Sequence, residues 1–415
     1  MSGWIDHTIW WHVYPLGFAG APIRPTAEER ALSPRLDRLL PWLDYLIELG
    51  ANGLALGPIF QSESHGYDTV DFFRIDPRLG DDATFDRLAR ACQERGIHLM
   101  LDGVFNHVGT GHPLFQAALA GNDPDAETMF RIHRTETGVH YDDFEGHQAL
   151  PALNHDSPVV VNRVADVMCH WLRRGASAWR LDAAYAVKPE FWARVLPRVR
   201  AEFPDVWIVG EVIHGDYPDI VRRSGMDSVT QYELWKAAWS SLLDGNFFEL
   251  DWCLKRHNNF LASFVPMTFI GNHDVTRIAS RIGNDKAALA ATILFTVGGI
   301  PSIYYGDEQA FRGVKTDREG GDDEVRPAFP DTPSALSPLG EPMRRIHHDL
   351  IGLRRHNPWL VNATTTPVHL ENRTFAYDAI GREEGQRLHV SLRLDPSPMA
   401  DIHTADGTHL LHVGA

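Results

Sequence analysis

The 415 residues, 44% of them apolar and 23% charged, describe a soluble globular chain that can bury a large core. Length alone suggests about two or three domains, although one barrel of about 250 residues with additions accommodates it equally well. The 39 basic and 55 acidic side chains leave a formal net charge of -16, which disfavours nucleic acid and anionic membranes and leaves a neutral or cationic ligand.

The opening Met1-Ser-Gly-Trp-Ile-Asp lacks a basic region followed by an apolar stretch, so no secretory leader is expected and the protein is expected in the cytoplasm. The first strand candidate is Ile9-Trp-Trp-His-Val-Tyr-Pro15, followed by a loop rich in glycine, proline and alanine. Ser33 then caps a helix that has Pro34 at its first position, apolar residues at Leu39, Leu40, Leu43, Leu46 and Ile47, and Gly50 at its end. A second strand, Gly53-Leu-Ala-Leu-Gly57, precedes a loop containing Pro58 and the polar-aromatic segment His65-Gly-Tyr-Asp-Thr-Val-Asp71. A helix from about Asp82 to Arg95 stops at Gly96 and leads into a strand ending at Asp102.

Further strands are expected to end at Asp182 and Glu211, around Ser228-Val-Thr230, at Phe269 and at Ser302-Ile-Tyr-Tyr305, with helical patterns such as Val159–Arg174 and Pro189–Glu202 between them. Strands alternating with helices imply a parallel sheet, and eight of them close a barrel. Residues 107–157 break the rhythm, being rich in His, Gly, Asp and Thr with weak periodicity, and are expected to form a small inserted subdomain over the active face. The apolar run Ala287–Tyr305 approaches membrane-spanning length but contains Thr292, Thr296, Gly298, Gly299 and Pro301, so it reads as a helix, a turn and a buried strand. After a helix to about Arg355, the segments Thr374–Tyr377, Leu388–Leu392 and His409–Val413 alternate as short strands. The expected fold is therefore a (β/α)8 TIM barrel over residues 1–106 and 158–360, an inserted subdomain after strand 3 over 107–157, and a C-terminal antiparallel, sandwich-like β-domain over 361–415. Cys92, Cys169 and Cys253 are odd in number and widely spaced, which suggests neither a disulfide framework nor a zinc site.

Acids collect at the ends of the strand-like runs: Asp102 in His98-Leu-Met-Leu-Asp-Gly-Val-Phe-Asn-His107, Asp182 in Trp179-Arg-Leu-Asp-Ala-Ala184, Glu211 in Val206-Trp-Ile-Val-Gly-Glu-Val212, and Asp274 in Pro266-Met-Thr-Phe-Ile-Gly-Asn-His-Asp274. Catalytic groups of a parallel barrel gather at that face. Arg180 and Asp182, two apart on a strand, point to one side. A guanidinium beside a carboxylate keeps the acid ionised, which suits a nucleophile, although a buried structural pair is an alternative for these residues taken alone.

With these stretches side by side the chain resembles glycoside hydrolase family 13, the α-amylase superfamily. Asp102–His107, Trp179–Ala184, Gly210–Val212 and Phe269–Asp274 are similar to its four signatures, in its order. The resemblance implies Asp182 as nucleophile, Glu211 as general acid/base and Asp274 as the carboxylate that steadies the distorted sugar. It further implies that Arg180, His107 and His273 surround the sugar, that Tyr67 stacks beneath it with Asp68 nearby, and that Asp102 contributes by ordering its neighbours. Asp322 and Arg326, in Gly321-Asp-Asp-Glu-Val-Arg-Pro327, resemble a further glucose-binding pair, with a solvated acidic loop as the alternative. A retaining mechanism needs two carboxyl groups about 5 to 5.5 Å apart, one ionised and one protonated. Crowding by Asp182 and Asp274 would bias Glu211 towards the protonated form.

Tyr185-Ala-Val stands where many calcium-dependent amylases have a Lys-His pair, so no cofactor is expected, although Asn106 matches one usual calcium ligand. Glu211-Val-Ile-His214 and Leu150-Pro-Ala-Leu-Asn154 resemble segments of neopullulanases and cyclomaltodextrinases. Those enzymes carry an N-terminal β-domain used for dimerisation, whereas here the first barrel strand begins near Ile9, which leaves open a homodimer through another surface or a monomer. A compact relative such as a cyclic maltosyl-maltose hydrolase would fit this size, with Phe130, Tyr141 and Phe144 of the insert either selecting the ring or packing the subdomain. The implied function is a retaining α-glucoside hydrolase that cleaves α-1,4 or α-1,6 linkages in neutral malto-oligosaccharides or cyclic glucans. A transglycosylase or maltose/trehalose isomerase on the same fold is the alternative. A non-catalytic sugar-binding or transporter-associated subunit is disfavoured because all three carboxylates are present.

Overall fold

The computed structural model describes residues 3–136 and 138–414. Met1 and Ser2 of the segment read for a leader, Thr137 of the insert and Ala415 of the C-terminal domain lie outside them. Among the described residues, eight parallel strands recur along the chain: β1 (Trp10–Val13), β2 (Gly53–Leu56), β3 (His98–Gly103), β4 (Ala178–Leu181), β5 (Trp207–Gly210), β6 (Ser228–Val229), β7 (Met267–Phe269) and β8 (Ile300–Tyr304). The described residues fold as two compact units, one within residues 14–40 and 54–227, the other within residues 3–13, 41–53 and 228–414.

In the first unit β2, β3, β4 and β5 lie side by side in that order. The β3–β4 register sets Arg180 directly opposite Asp102, and the β4–β5 register sets Leu181 opposite Gly210, so Asp182 and Glu211 leave adjacent strands at one level. Behind the strands Trp171 packs between Phe60 and Phe85, with ring centroids 5.1 and 4.9 Å away, and its indole N–H donates to the Phe72 carbonyl at 2.8 Å. It sits on the helix Pro158–Arg173, which starts where the Ser157 hydroxyl accepts from the Val159 N–H.

Three local features differ from the sequence reading. The helix expected from Pro34 to Gly50 is broken: a 3₁₀ turn, Arg35–Leu39, is followed by a separate α-helix, Trp42–Leu49, because Pro41 between them cannot donate to the preceding turn. The segment around Tyr67, expected as loop, leads into a strand, Thr69–Ile75, paired antiparallel with Phe60–Ser62; two register shifts hide its alternation. The insert holds the helices Pro113–Ala120 and Pro124–Thr128 and two hairpins, Ile132–Thr135 with Gly138–Tyr141 and Asp143–Phe144 with His147–Pro151.

In the second unit β1 pairs with β8 and β8 with β7, while Thr230, just past β6, bridges to Met267 of β7. Trp11, Trp42, Tyr45 and Phe329 pack against one another, with Trp42 and Phe329 centroids 4.8 Å apart. The run read as helix, turn and strand is the helix Asn284–Thr296 followed by β8. The C-terminal strands Thr364–Leu370, Thr374–Ile380, Arg387–Arg393, Met399–Thr404 and His409–Gly414 follow one another in a single antiparallel sheet, where a sandwich-like domain was expected. Tyr377 fastens that sheet to the helix Asn284–Thr296 through a 2.6 Å bond between its hydroxyl and that of Thr296.

Candidate active site

In the first unit one guanidinium gathers the strand-end acids. Arg180 Nη1 donates to both oxygens of Asp102 at 2.7 and 2.6 Å and to Asp182 Oδ1 at 3.1 Å, while Nη2 reaches Glu211 Oε1 at 2.7 Å. All four side chains are buried. Burial alone would lower the Arg180 guanidinium, but Asp102, Glu211, Tyr67 and Asp182 around it hold it well above its ordinary value. Glu211 Oε2 also accepts from the Ala183 N–H at 2.9 Å, so the crowding expected around Glu211 comes with two donors. Ala183 takes a left-handed backbone, φ 46, which turns the chain sharply after Asp182.

Tyr67 points its hydroxyl at Asp102 Oδ2, 3.3 Å away. Asp68 is buried; Ser64 donates to its Oδ2, and its Oδ1 has no protein partner. His107 lies between two partners: Nε2 donates to the Tyr67 carbonyl at 3.0 Å and Nδ1 accepts from the Asn106 amide at 3.1 Å, the assignment of a neutral ring. Burial pushes His107 down to about 4, outweighing the Tyr67 contact. Its ring is stacked at 4.7 Å on Phe144 from the insert. Phe130 and Tyr141 instead both pack on Phe115 within the subdomain, at 5.1 and 4.8 Å.

The remaining candidates belong to the second unit. Gly271, ahead of them, lies against Asp307 so closely that a Cβ there would be 2.2 Å from Asp307 Oδ2. Asp274 Oδ2 lies 3.0 Å from His273 Nε2, and its Oδ1 accepts from Arg326 Nη2 at 2.9 Å. Arg326 also donates through Nε to the His273 carbonyl at 2.9 Å and lies 3.1 Å from Asp322, which Lys315 approaches at 3.2 Å. Arg326 is thus a direct partner of Asp274, a role the sequence reading did not assign. His12 of β1 stands edge-on to His273 at 5.1 Å, and a histidine inside the first strand was the available signal. Tyr185, noticed only as a replacement, contacts the insert through Glu145.

Among the described residues, no group of three or more His, Cys, Asp or Glu side chains is placed to hold a metal ion. Asn106, the calcium candidate, spends its amide on His107.

A model of the alpha-amylase catalytic domain matches residues 36–365. The chain belongs to the alpha-amylase family. Its fold is the (β/α)8 barrel of that family with a C-terminal antiparallel sheet. It is 34% identical over 350 residues to a cyclomaltodextrinase of Geobacillus thermopakistaniensis (strain MAS1), covering 78% of this chain and 58% of that one. It is 31% identical over 342 residues to the intracellular maltogenic amylase of Bacillus subtilis (strain 168), covering 75% of this chain and 56% of that one. The chain thus spans less than two thirds of the length of these relatives. The ligand-free cyclic alpha-maltosyl-(1→6)-maltose hydrolase from Arthrobacter globiformis is similar with a TM-score of 0.80 at 25% identity, over 99% of both chains.

Because His107 is held near 4 when folded and titrates near 6.5 when unfolded, the unfolded chain binds the extra proton between those values. The stability due to the neutral ring is complete above pH 6.5 and is lost as the pH falls towards 4, by up to about 3 kcal/mol. Urea unfolding at pH 7 and pH 4.5 is expected to show a smaller loss of stability for His107→Asn than for the wild type; equal losses would contradict it.

Proposed function

We propose that this member of the alpha-amylase family is a retaining α-glucoside hydrolase acting on malto-oligosaccharides or cyclic glucans. The observation that carries the reading is the buried Arg180 guanidinium, which holds Asp182 and Glu211 together at the ends of neighbouring parallel strands. Asp182 attacks the anomeric carbon as its bond to the leaving oxygen breaks, and that oxygen takes the proton of Glu211. Water, deprotonated by Glu211, then displaces Asp182 and returns the anomeric configuration. Asp102 binds no sugar in this scheme; it anchors Arg180. In this scheme Tyr67, Asp68 and His107 contact the sugar, and Asp274, partnered by His273 and Arg326, is assigned the steadying of its distorted ring. Asp322 contributes by holding Arg326.

The names borne by the relatives, cyclomaltodextrinase, maltogenic amylase and cyclic maltosyl-maltose hydrolase, support α-linked glucose oligomers as the substrate class. We further propose a cytoplasmic location, supported by the intracellular maltogenic amylase among the relatives and by Cys92, Cys169 and Cys253, which are free and buried.

Asp182→Asn is expected to lower turnover by about four orders of magnitude or more with the fold retained; near-normal turnover would remove Asp182 from the nucleophile's role. Chelation by EDTA is expected to leave the rate unchanged, and a calcium-reversible loss would show that a metal is required. Product analysis with maltotetraose, cyclodextrins, pullulan, cyclic maltosyl-maltose and maltose is expected to show hydrolytic products. Faster opening of rings than of linear chains identifies a cyclic-glucan hydrolase, and conversion of maltose to trehalose with little glucose would replace hydrolysis by isomerisation.

A further inference from the structure

The second hairpin of the insert turns through two residues, Glu145 and Gly146, with φ of 54 and 84. Two-residue turns favour such left-handed pairs, but Asn, Asp or Gly ordinarily fills the first position. A glutamate there carries backbone strain, and its side chain makes a contact that glycine could not. Glu145 Oε1 accepts from the Tyr185 hydroxyl at 2.8 Å. The neighbouring Phe144 lies flat on His107, 4.7 Å away and 18° from parallel. The hairpin tip is therefore attached twice to the strand ends that carry the site.

Tyr185 identifies the side to which this attachment belongs. It follows Asp182 by three residues, its N–H donates to the Glu211 carbonyl at 3.1 Å, and its ring lies 5.5 Å from that of His214, three residues after Glu211. Burial, Glu145, Glu211 and Asp182 together raise its hydroxyl above the ordinary tyrosine value, so it stays a donor. Tyr67 and His107, by contrast, are grouped with Asp102. Under the hydrolase reading Glu211 protonates the leaving oxygen, so Tyr185, bonded to the Glu211 backbone and apart from the Asp102 group, is assigned to the leaving-group side. Glu145 is exposed and its Oε2 has no partner among the described residues, which leaves a carboxylate oxygen for sugar hydroxyls.

We propose that the Glu145–Tyr185 pair is a specificity-determining contact for the leaving-group sugar, through which the insert selects the chain departing from Glu211 and the acceptor that later replaces it. This rests on the hydrolase reading. The Tyr185 hydroxyl, its proton given to Glu145, and the Glu145 carboxylate both accept from the sugar's hydroxyls, and the left-handed turn holds the carboxylate where a mobile loop would not.

The test compares maltotetraose, whose leaving group is a sugar, with an aryl α-maltoside, whose leaving group is not, in the wild type, Tyr185→Phe, Glu145→Gly and Glu145→Gln. Glycine suits the left-handed position, so Glu145→Gly keeps the turn. For Tyr185→Phe and Glu145→Gly, kcat/KM is expected to fall about tenfold further with maltotetraose than with the aryl substrate, mainly through KM, and transfer to added glucose should decline relative to hydrolysis. Glu145→Gln, which still accepts from Tyr185, should recover most of that ratio. Equal losses on both substrates, or no loss on either, would overturn the proposal while leaving the hydrolase reading intact. A wild-type protein inactive on both substrates would overturn both.

Discussion

A buried guanidinium surrounded by three carboxyl groups is the constraint to which the first unit is built. A buried charge costs several kcal/mol unless its partners are placed with good geometry, and the removal of any partner strands the others. The parallel register supplies those partners: Asp102 is the β3 residue opposite Arg180, and Asp182 and Glu211 stand just beyond the ends of β4 and β5. The two acids assigned to bond breaking are thus held by the requirements of one cation. On the proposed roles stability and catalysis share the same contacts, and Asp102, which touches no substrate in that scheme, is as necessary to the arrangement as the acids that do.

The second unit solves the same problem with different means. Arg326 grips Asp274 and the carbonyl of the preceding His273, and Val325, next to it, accepts from Arg277 Nε at 3.1 Å and from the Tyr304 hydroxyl at 2.9 Å. Arg277, fully buried with its guanidinium 4.1 Å from the centre of the Tyr304 ring, also donates to the Tyr305 carbonyl at 2.6 Å and to Asp307 at 3.0 Å. Asp274 and Arg277 are three residues apart on one loop, so the loop is tied at both ends to the segment that carries Arg326. The position of Asp274 follows from that closed set of bonds.

The strand-end acids were legible because a buried parallel strand is a short apolar run, and an acid closing such a run is conspicuous. The Asp81-capped helix Asp82–Glu94 and the helix Pro189–Glu202 were legible for a similar reason, since their starts and apolar stripes are local signals. Pro41 was the visible mark of a broken helix, but the apolar spacing on either side ran through it. The strand Thr69–Ile75 was hidden by register shifts that defeat period-two counting, and the insert's hairpins by polar, exposed faces that leave little alternation to read. The partnership of Arg326 with Asp274, and of Glu145 with Tyr185, joins residues 52 and 40 positions apart on irregular segments. No local pattern encodes a pairing of that kind.

The insert leaves and rejoins its unit at nearly one point: His107 bridges to Ala152, the Leu153 N–H donates to the Asn106 carbonyl at 3.0 Å, and the Val108 N–H donates to the Pro151 carbonyl at 3.0 Å. A segment whose two ends are stitched together is thermodynamically a closed cassette. Doubling its length would add only about 0.6 kcal/mol of closure entropy, because that cost grows with the logarithm of loop length. Evolution can therefore rewrite, lengthen or exchange the cassette without disturbing the register that sets Arg180 against Asp102. Diversification of this scaffold has an inexpensive route, in which the reaction is inherited unchanged while the clientele is renegotiated one hairpin at a time.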